Sequence, residues 1–230
     1  MSKKSEITSK RISATIYVLA ANWGNHNAES AVGVPEPTTI VLLAVGAAIA
    51  QRPDAYVCPS DVSEPYSIQP KVDTTYDTYG RPAATGSYAL VEGTSGAGQG
   101  GTTKYNNTGV FFYLRTFKVE DIPDGLSKTL FLGEVVDGHT PDSTNIWSRV
   151  LREMDTLRST SNPLNTMPGE PINSTLYGLK VNGAFASRHP GGANFAFGDG
   201  HVVFITENID PRLYRALSTR EGGEVAEGYE

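Results

Sequence analysis

The sequence predicts an α+β domain, with an antiparallel β-sheet, a C-terminal β-hairpin and short helices packed on the sheet. Three observations predict it. Ser187 to Ile205 reads strand, turn, strand. Asn194-Phe195-Ala196-Phe197 is apolar and aromatic, Gly198-Asp199-Gly200 tolerates the positive φ of a tight turn, and His201-Val202-Val203-Phe204-Ile205 is the strongest β-forming run in the chain. Thr129 to Val135 is a second such run, introduced by the turn Ile122-Pro123-Asp124-Gly125. Finally, Asp210-Pro211 followed by Leu213, Ala216 and Leu217 gives an N-cap, a proline suited to the first helical position and an apolar stripe.

In chain order, residues 1–52 form an atypical N-terminal segment and 53–230 the globular domain. Lys3, Lys4, Lys10 and Arg11 precede Ile12 to Ala21, a basic start and short apolar run in the manner of a secretory signal. Ser13 and Thr15 interrupt that run. Ile12, Ile16, Leu19 and Trp23 share one face of a short amphipathic helix, which is the favoured reading. Val34-Pro35-Glu36-Pro37, the apolar stretch Thr38 to Ala50 and Arg52 are similar to a PEP-type sorting tail. Such tails end their proteins, whereas a domain follows here, so a buried helix is preferred. The stretch is shorter than the roughly 20 residues of a membrane span.

Residues 53–109 read as loop-rich. Pro59, Pro65, Pro70 and Pro82 break long helices. Glycines crowd 92–109, and Lys104 is followed by Tyr105-Asn106-Asn107 rather than a helix start. A mobile surface loop fits better than a phosphate cradle. Val110 to Phe117 is β-forming, with Phe111, Tyr113 and Phe117 placed on one face. Ile146, Trp147, Val150, Leu151, Met154 and Leu157 fall at helical spacing, so the pattern predicts a helix over 146–158. Residues 159–180, rich in Pro, Asn, Ser and Thr, read as a long surface excursion. The last helix is expected to run to Gly222-Gly223, ahead of a frayed acidic tail.

Composition narrows the function. Lys and Arg total 19 against 25 Asp and Glu, a net charge of -6, which argues against a nucleic-acid surface. Gly 24 and Pro 14 indicate many turns. Cys58 is the only cysteine, so no intrachain disulfide forms, and it reads as a small buried hydrophobe rather than a nucleophile.

Several segments, in order, carry a resemblance. They are Val57-Cys58-Pro59-Ser60-Asp61, Gly86-Ser87-Tyr88-Ala89, Thr108-Gly109-Val110-Phe111-Phe112, Ile122 to Thr129 followed by Leu130-Phe131-Leu132-Gly133-Glu134, His189 to Gly200, and Tyr214 to Glu224. Together they resemble a bacterial family of PulG-like pseudopilins marked by His, nine residues, then Asp-Gly. The resemblance implies a pilin-like globular domain and a non-enzymatic part in a type II secretion or type IV pilus-like apparatus of the cell envelope. Its expected partners are other pseudopilin or secretion-system subunits, and membrane association is expected of the family. The family also carries a putative-transporter label, so a periplasmic or surface solute-binding module is the first alternative and an envelope-polymer hydrolase the second. The family's long apolar N-terminal helix, with an acidic residue near its start, has no match here. Gly24 is followed by Asn25-His26-Asn27, and 40–50 contains no acid. A soluble monomer or weak oligomer that does not polymerise is therefore expected.

The candidate chemistry is sparse. The histidines are His26, His139, His189 and His201, and none lies in a metalloprotease motif. No C-x-x-C or G-x-S-x-G occurs. His189 and Asp199 are expected within reach of one another across the hairpin entry, as a metal or acid–base pair, with Glu134 able to join them. Calcium would choose Asp199, Glu134 and carbonyls. The plainer reading is preferred: His189 anchors the Pro190-Gly191-Gly192 loop and Asp199 with Gly200 makes the turn. No metal and no catalytic residue is then expected, and Asp124, Gly125, Glu134, His189, Gly191, Gly192, Asp199 and Gly200 are structural. Ser60, Ser87, Ser127 and Ser187 lie in turn-like contexts with no adjacent base motif, so no serine nucleophile is expected.

Overall fold

The computed structural model describes residues 51–66, 83–96, 105–138, 145–148, 156–168 and 183–224. The expectations for residues 1–50, the middle of the glycine-rich stretch, His139 and 169–180 lie outside them.

A five-stranded sheet, order β3-β1-β2-β4-β5, organises the chain. The strands are β1 (Tyr88–Gly93), β2 (Leu130–Glu134), β3 (Leu157–Ser159), β4 (Gly192–Phe197) and β5 (Val202–Thr206). All neighbours are antiparallel except β1 and β3, which run parallel. The mixed α/β architecture with a mostly antiparallel sheet agrees with the expected class.

The hairpin forms where its residues predict it, with Gly192 opposite Thr206 and Ala196 opposite Val202. Gly200 takes φ 93 and donates its N–H to the Phe197 carbonyl at 3.0 Å, a conformation that costs L-residues. Asp199 Oδ1 accepts the His201 N–H at 3.2 Å, the local side-chain bond expected of a turn aspartate. β4 alternates buried Ala193, Phe195 and Phe197 with half-buried positions, while β5 leaves Val202 and Phe204 exposed on the sheet's outer edge.

The core gathers Ala89, Val91, Leu130, Phe185, Phe195, Ile205, Tyr214 and Leu217. Phe195 meets Phe185 and Tyr214 edge-on, at centroid distances of 5.2 and 6.0 Å, an arrangement that adds aromatic attraction to area burial. Helix α1 (Pro211–Ala216) supplies Tyr214. Asp210 caps it through its side chain, which accepts the Arg212 N–H at 2.7 Å, as the sequence predicts. Among the described residues no helix is long and apolar enough to cross a membrane.

Five expectations are corrected. The 110–117 run forms no strand. Only Gly109 and Phe111 bond to β1, Leu114 turns at φ 58, and Phe117 folds back on Phe112 at 5.5 Å rather than sharing a face with Phe111 and Tyr113. Its aromatic content satisfies ring packing instead of a ladder. The expected 146–158 helix is wrong at both described ends. Ile146 bridges Thr85, and Leu157 pairs with Leu90 as an edge strand. Pairing partners far along the chain outweigh local periodicity there. Of the expected excursion, 159–168 is packed inward, with Leu164 in the core and Thr160 bonded to Ser218 at 2.7 Å. α1 stops at Ala216, before the glycines, where the Ser218 and Thr219 N–H groups turn to the Arg215 and Ala216 carbonyls in tighter i→i−3 bonds. The loop-rich reading of 53–109 also missed β1.

Candidate functional site

The segments singled out in the sequence converge on two clusters. The first joins Cys58, Glu134 and His189. Glu134 closes β2 and is buried. Its Oε2 accepts the Asn194 N–H at 2.7 Å and the Asn194 Nδ2 at 3.2 Å, so β4 holds the carboxylate in place. Oε1 then lies 3.1 Å from His189 Nε2. Cys58 Sγ lies 3.3 Å from the same nitrogen. His189 is positioned by its backbone N–H, which donates to Ser187 Oγ at 3.0 Å, while that hydroxyl donates to the Gly192 carbonyl.

Cys58 is brought there by the short turn Asp54–Tyr56, which is held by stacking of Tyr56 on Trp147 at 5.1 Å and by the Ser87 N–H bond to the Tyr56 carbonyl. Asp61 ties the same loop to β1, accepting from Ser87 Oγ at 2.6 Å and from Ser63. Burial pushes the Cys58 thiol up, and the Glu134 carboxylate adds to this against two backbone bonds that oppose it. The raised value favours the protonated thiol at neutral pH. Tyr88 is likewise pushed up, by burial first and then by the charges of Cys58, Glu134 and Asp61. The hollow beside Cys58, Asp61, Ser87 and Glu134 is about 10 Å³, room for about one water.

The second cluster is a clasp between the segment after residue 105 and the C-terminal segment. Asp124 accepts the Gly222 and Gly223 N–H groups at 2.7 and 2.9 Å and the Thr219 hydroxyl at 3.1 Å. Arg220 donates to the Asn107 and Gly109 carbonyls at 2.7 and 2.9 Å and lies over the Phe117 ring at 4.5 Å. Gly125 takes φ 93 beside Asp124, and Gly223 takes φ 72 where its N–H turns toward that carboxylate. Asn107 and Thr108 close the neck of the glycine-rich stretch, bonding Ser95 and Thr94.

The expected neighbours His189 and Asp199 are not brought together. β4 separates them, an extended length of roughly 20 Å for its six residues. Asp199 pairs instead with His201 Nδ1 at 2.5 Å, so Glu134 and Asp199 do not form a shared calcium site. The His189 ring bonds Glu134 and Cys58 while its N–H reaches the loop through Ser187 Oγ, and Gly191 at φ 79 and Gly192, whose absent Cβ would sit 2.2 Å from the Ile205 carbonyl, make the tight passage into β4. Ser87 and Ser187 give their hydroxyl protons to Asp61 and a carbonyl, not to a histidine ring. Sequence reasoning missed Cys58 and Asn194 as members of the His189 cluster. Cys58 and His189 stand 131 positions apart, and no local signal joins them.

Fold and site together define a mixed α/β domain whose polar side chains knit distant segments. The family model described as "Protein of unknown function (DUF1559)", SBP_bac_10, matches residues 19–212. The chain belongs to that family. No curated protein and no solved structure matches it significantly.

Proposed function

We propose that this chain is a non-enzymatic, pseudopilin-like protein of the cell envelope that serves as a subunit of a type II secretion or type IV pilus-like assembly. The observation that carries the reading is how the motif residues spend their polar groups. Asp124, Thr219, Arg220 and the Gly222-Gly223 amides bond one another and backbone carbonyls, and Glu134 is held by Asn194. Residues committed to fixing backbone segments suit a scaffold that presents a surface. Catalysis instead asks for convergent groups aimed at a space where a reacting atom fits. The hollow beside Glu134 holds about 10 Å³, far below the roughly 300–1,000 Å³ of small-molecule sites, and the larger hollow beside the clasp, about 240 Å³, is walled by Asn107, Thr219, Arg220 and Gly222, whose polar groups are already bonded within the protein. Family membership, residues 19–212, agrees with a secretion-related or binding module.

The test is fractionation and crosslinking in the native host. The protein is expected in the envelope fraction, crosslinked to prepilin-type subunits, and its deletion should alter the set of exported proteins or surface filaments. Recovery from the cytosol with an unchanged exported set would overturn the reading. So would turnover of ester, glycan or peptide substrates that is lost in a His189 variant.

A further inference from the structure

Cys58, Glu134 and His189 each offer one ligand atom, and the three atoms lie within 4.8 Å of one another. Two of the edges are 3.3 Å, sulfur to nitrogen, and 3.1 Å, nitrogen to oxygen. Bonds of about 2.3 Å to sulfur and about 2.0–2.1 Å to nitrogen and oxygen around tetrahedral zinc impose edges of roughly 3.5 and 3.3 Å. The side chains already stand within a few tenths of an ångström of those edges. A cation at the centre receives a lone pair from all three atoms.

We propose that Cys58, Glu134 and His189 bind a divalent ion of the zinc class, with a water in the adjoining hollow completing four-coordination. A thiolate, an imidazole and one carboxylate favour a borderline-soft ion over calcium or magnesium, which seek oxygen donors. Thiolate and carboxylate together balance the ion's charge, and the thiol proton leaves to solvent as the metal binds. Asn194, holding Oε2, presents Oε1 as a single donor and is a positioning residue. The ion links the 58 loop, the end of β2 and the passage into β4, so it acts as a staple between segments distant in sequence. The proposal is independent of the assembly reading and extends it.

Cobalt(II) added to the reduced, chelator-treated full chain tests the site. Because Cys58 is the only cysteine, any sulfur-to-cobalt charge-transfer band reports on it. One cobalt per chain is expected, with that band and the intense visible bands of a four-coordinate ion, all displaced by zinc. Cys58→Ser should remove the charge-transfer band. Asn194→Ala should weaken binding by about 10- to 100-fold. Two wild-type measurements guard against variants that fail to fold: zinc should slow alkylation of Cys58 and raise the melting temperature. Cobalt spectra without a charge-transfer band, spectra unchanged in Cys58→Ser, or alkylation at equal rates with and without zinc would overturn the site. None of those outcomes bears on envelope location or crosslinking partners.

Discussion

Replacing Arg220 should be among the most costly changes in the clasp. Its guanidinium side chain is 12% exposed and donates at 2.7 and 2.9 Å to the carbonyls of Asn107 and Gly109. It also lies 4.5 Å over Phe117 and 5.7 Å over Phe112. Each bond to a charged donor contributes about 1.5–3 kcal/mol, and the stacking about 1 kcal/mol. Against that gross figure stands about 2 kcal/mol of side-chain entropy released when the arginine is removed. Arg220→Ala is therefore expected to cost about 3 kcal/mol, a fall in melting temperature of about 6–12 °C for a chain of this size. Arg220→Lys keeps a point charge able to reach one carbonyl but loses the fork and the flat stacking face, so about half the loss should remain. Urea denaturation followed by tryptophan fluorescence gives the midpoint, and an unchanged slope confirms that stability alone moved. An Arg220→Ala midpoint within about 0.5 kcal/mol of wild type, or a lysine as good as the arginine, would refute the clasp.

Gly133→Ala should cost about 1–3 kcal/mol by overpacking, because the added Cβ would lie 2.4 Å from Phe195 and 2.7 Å from Phe185; calorimetry checks it. Tyr214→Phe should be neutral or stabilising, since the Tyr214 hydroxyl is buried without a hydrogen-bond partner among the described residues; urea midpoints decide it. Burial also raises the Tyr214 pKa above its ordinary 10.0, so wild type should lose stability as pH climbs past that value while Tyr214→Phe is spared this contribution in alkaline melts. Asp199 is held below its ordinary value of 3.8, first by its side-chain bond to His201 and then by the His201 N–H. Its contribution is present above that value and lost as pH falls through the lowered one. Because that pair is exposed and screened, and Asn keeps the side-chain bond of the turn, Asp199→Asn should still be mild at neutral pH and Asp199→Pro severe, read by hairpin amide exchange.

The hairpin, β2 and the capped start of α1 were legible because their signals are local: Gly200 at the turn, β-branched runs, and Asp210 ahead of Pro211. The strand β3 was not. Leu157 and Arg158 sit among residues with helical spacing, and only pairing with Leu90 and Val91 makes them a strand. The run at 110–117 erred in the opposite direction, because its rings found one another and Arg220 rather than a neighbouring ladder.

The candidate site divides along the same line. Sequence alone singled out Asp124, Glu134, His189 and Arg220, through segments that resemble those of a known family, and determined that Asp199 makes a turn. Only the tertiary structure decided that His189 meets Cys58 and Glu134 rather than Asp199, and that Asp124 receives the Gly222 and Gly223 amides. Turn and cap chemistry acts over a few residues and is written in neighbouring letters. The closure of segments 131 and 98 positions apart depends on sheet order and register, which are set by the collective burial of Phe185, Phe195, Ile205 and Leu217.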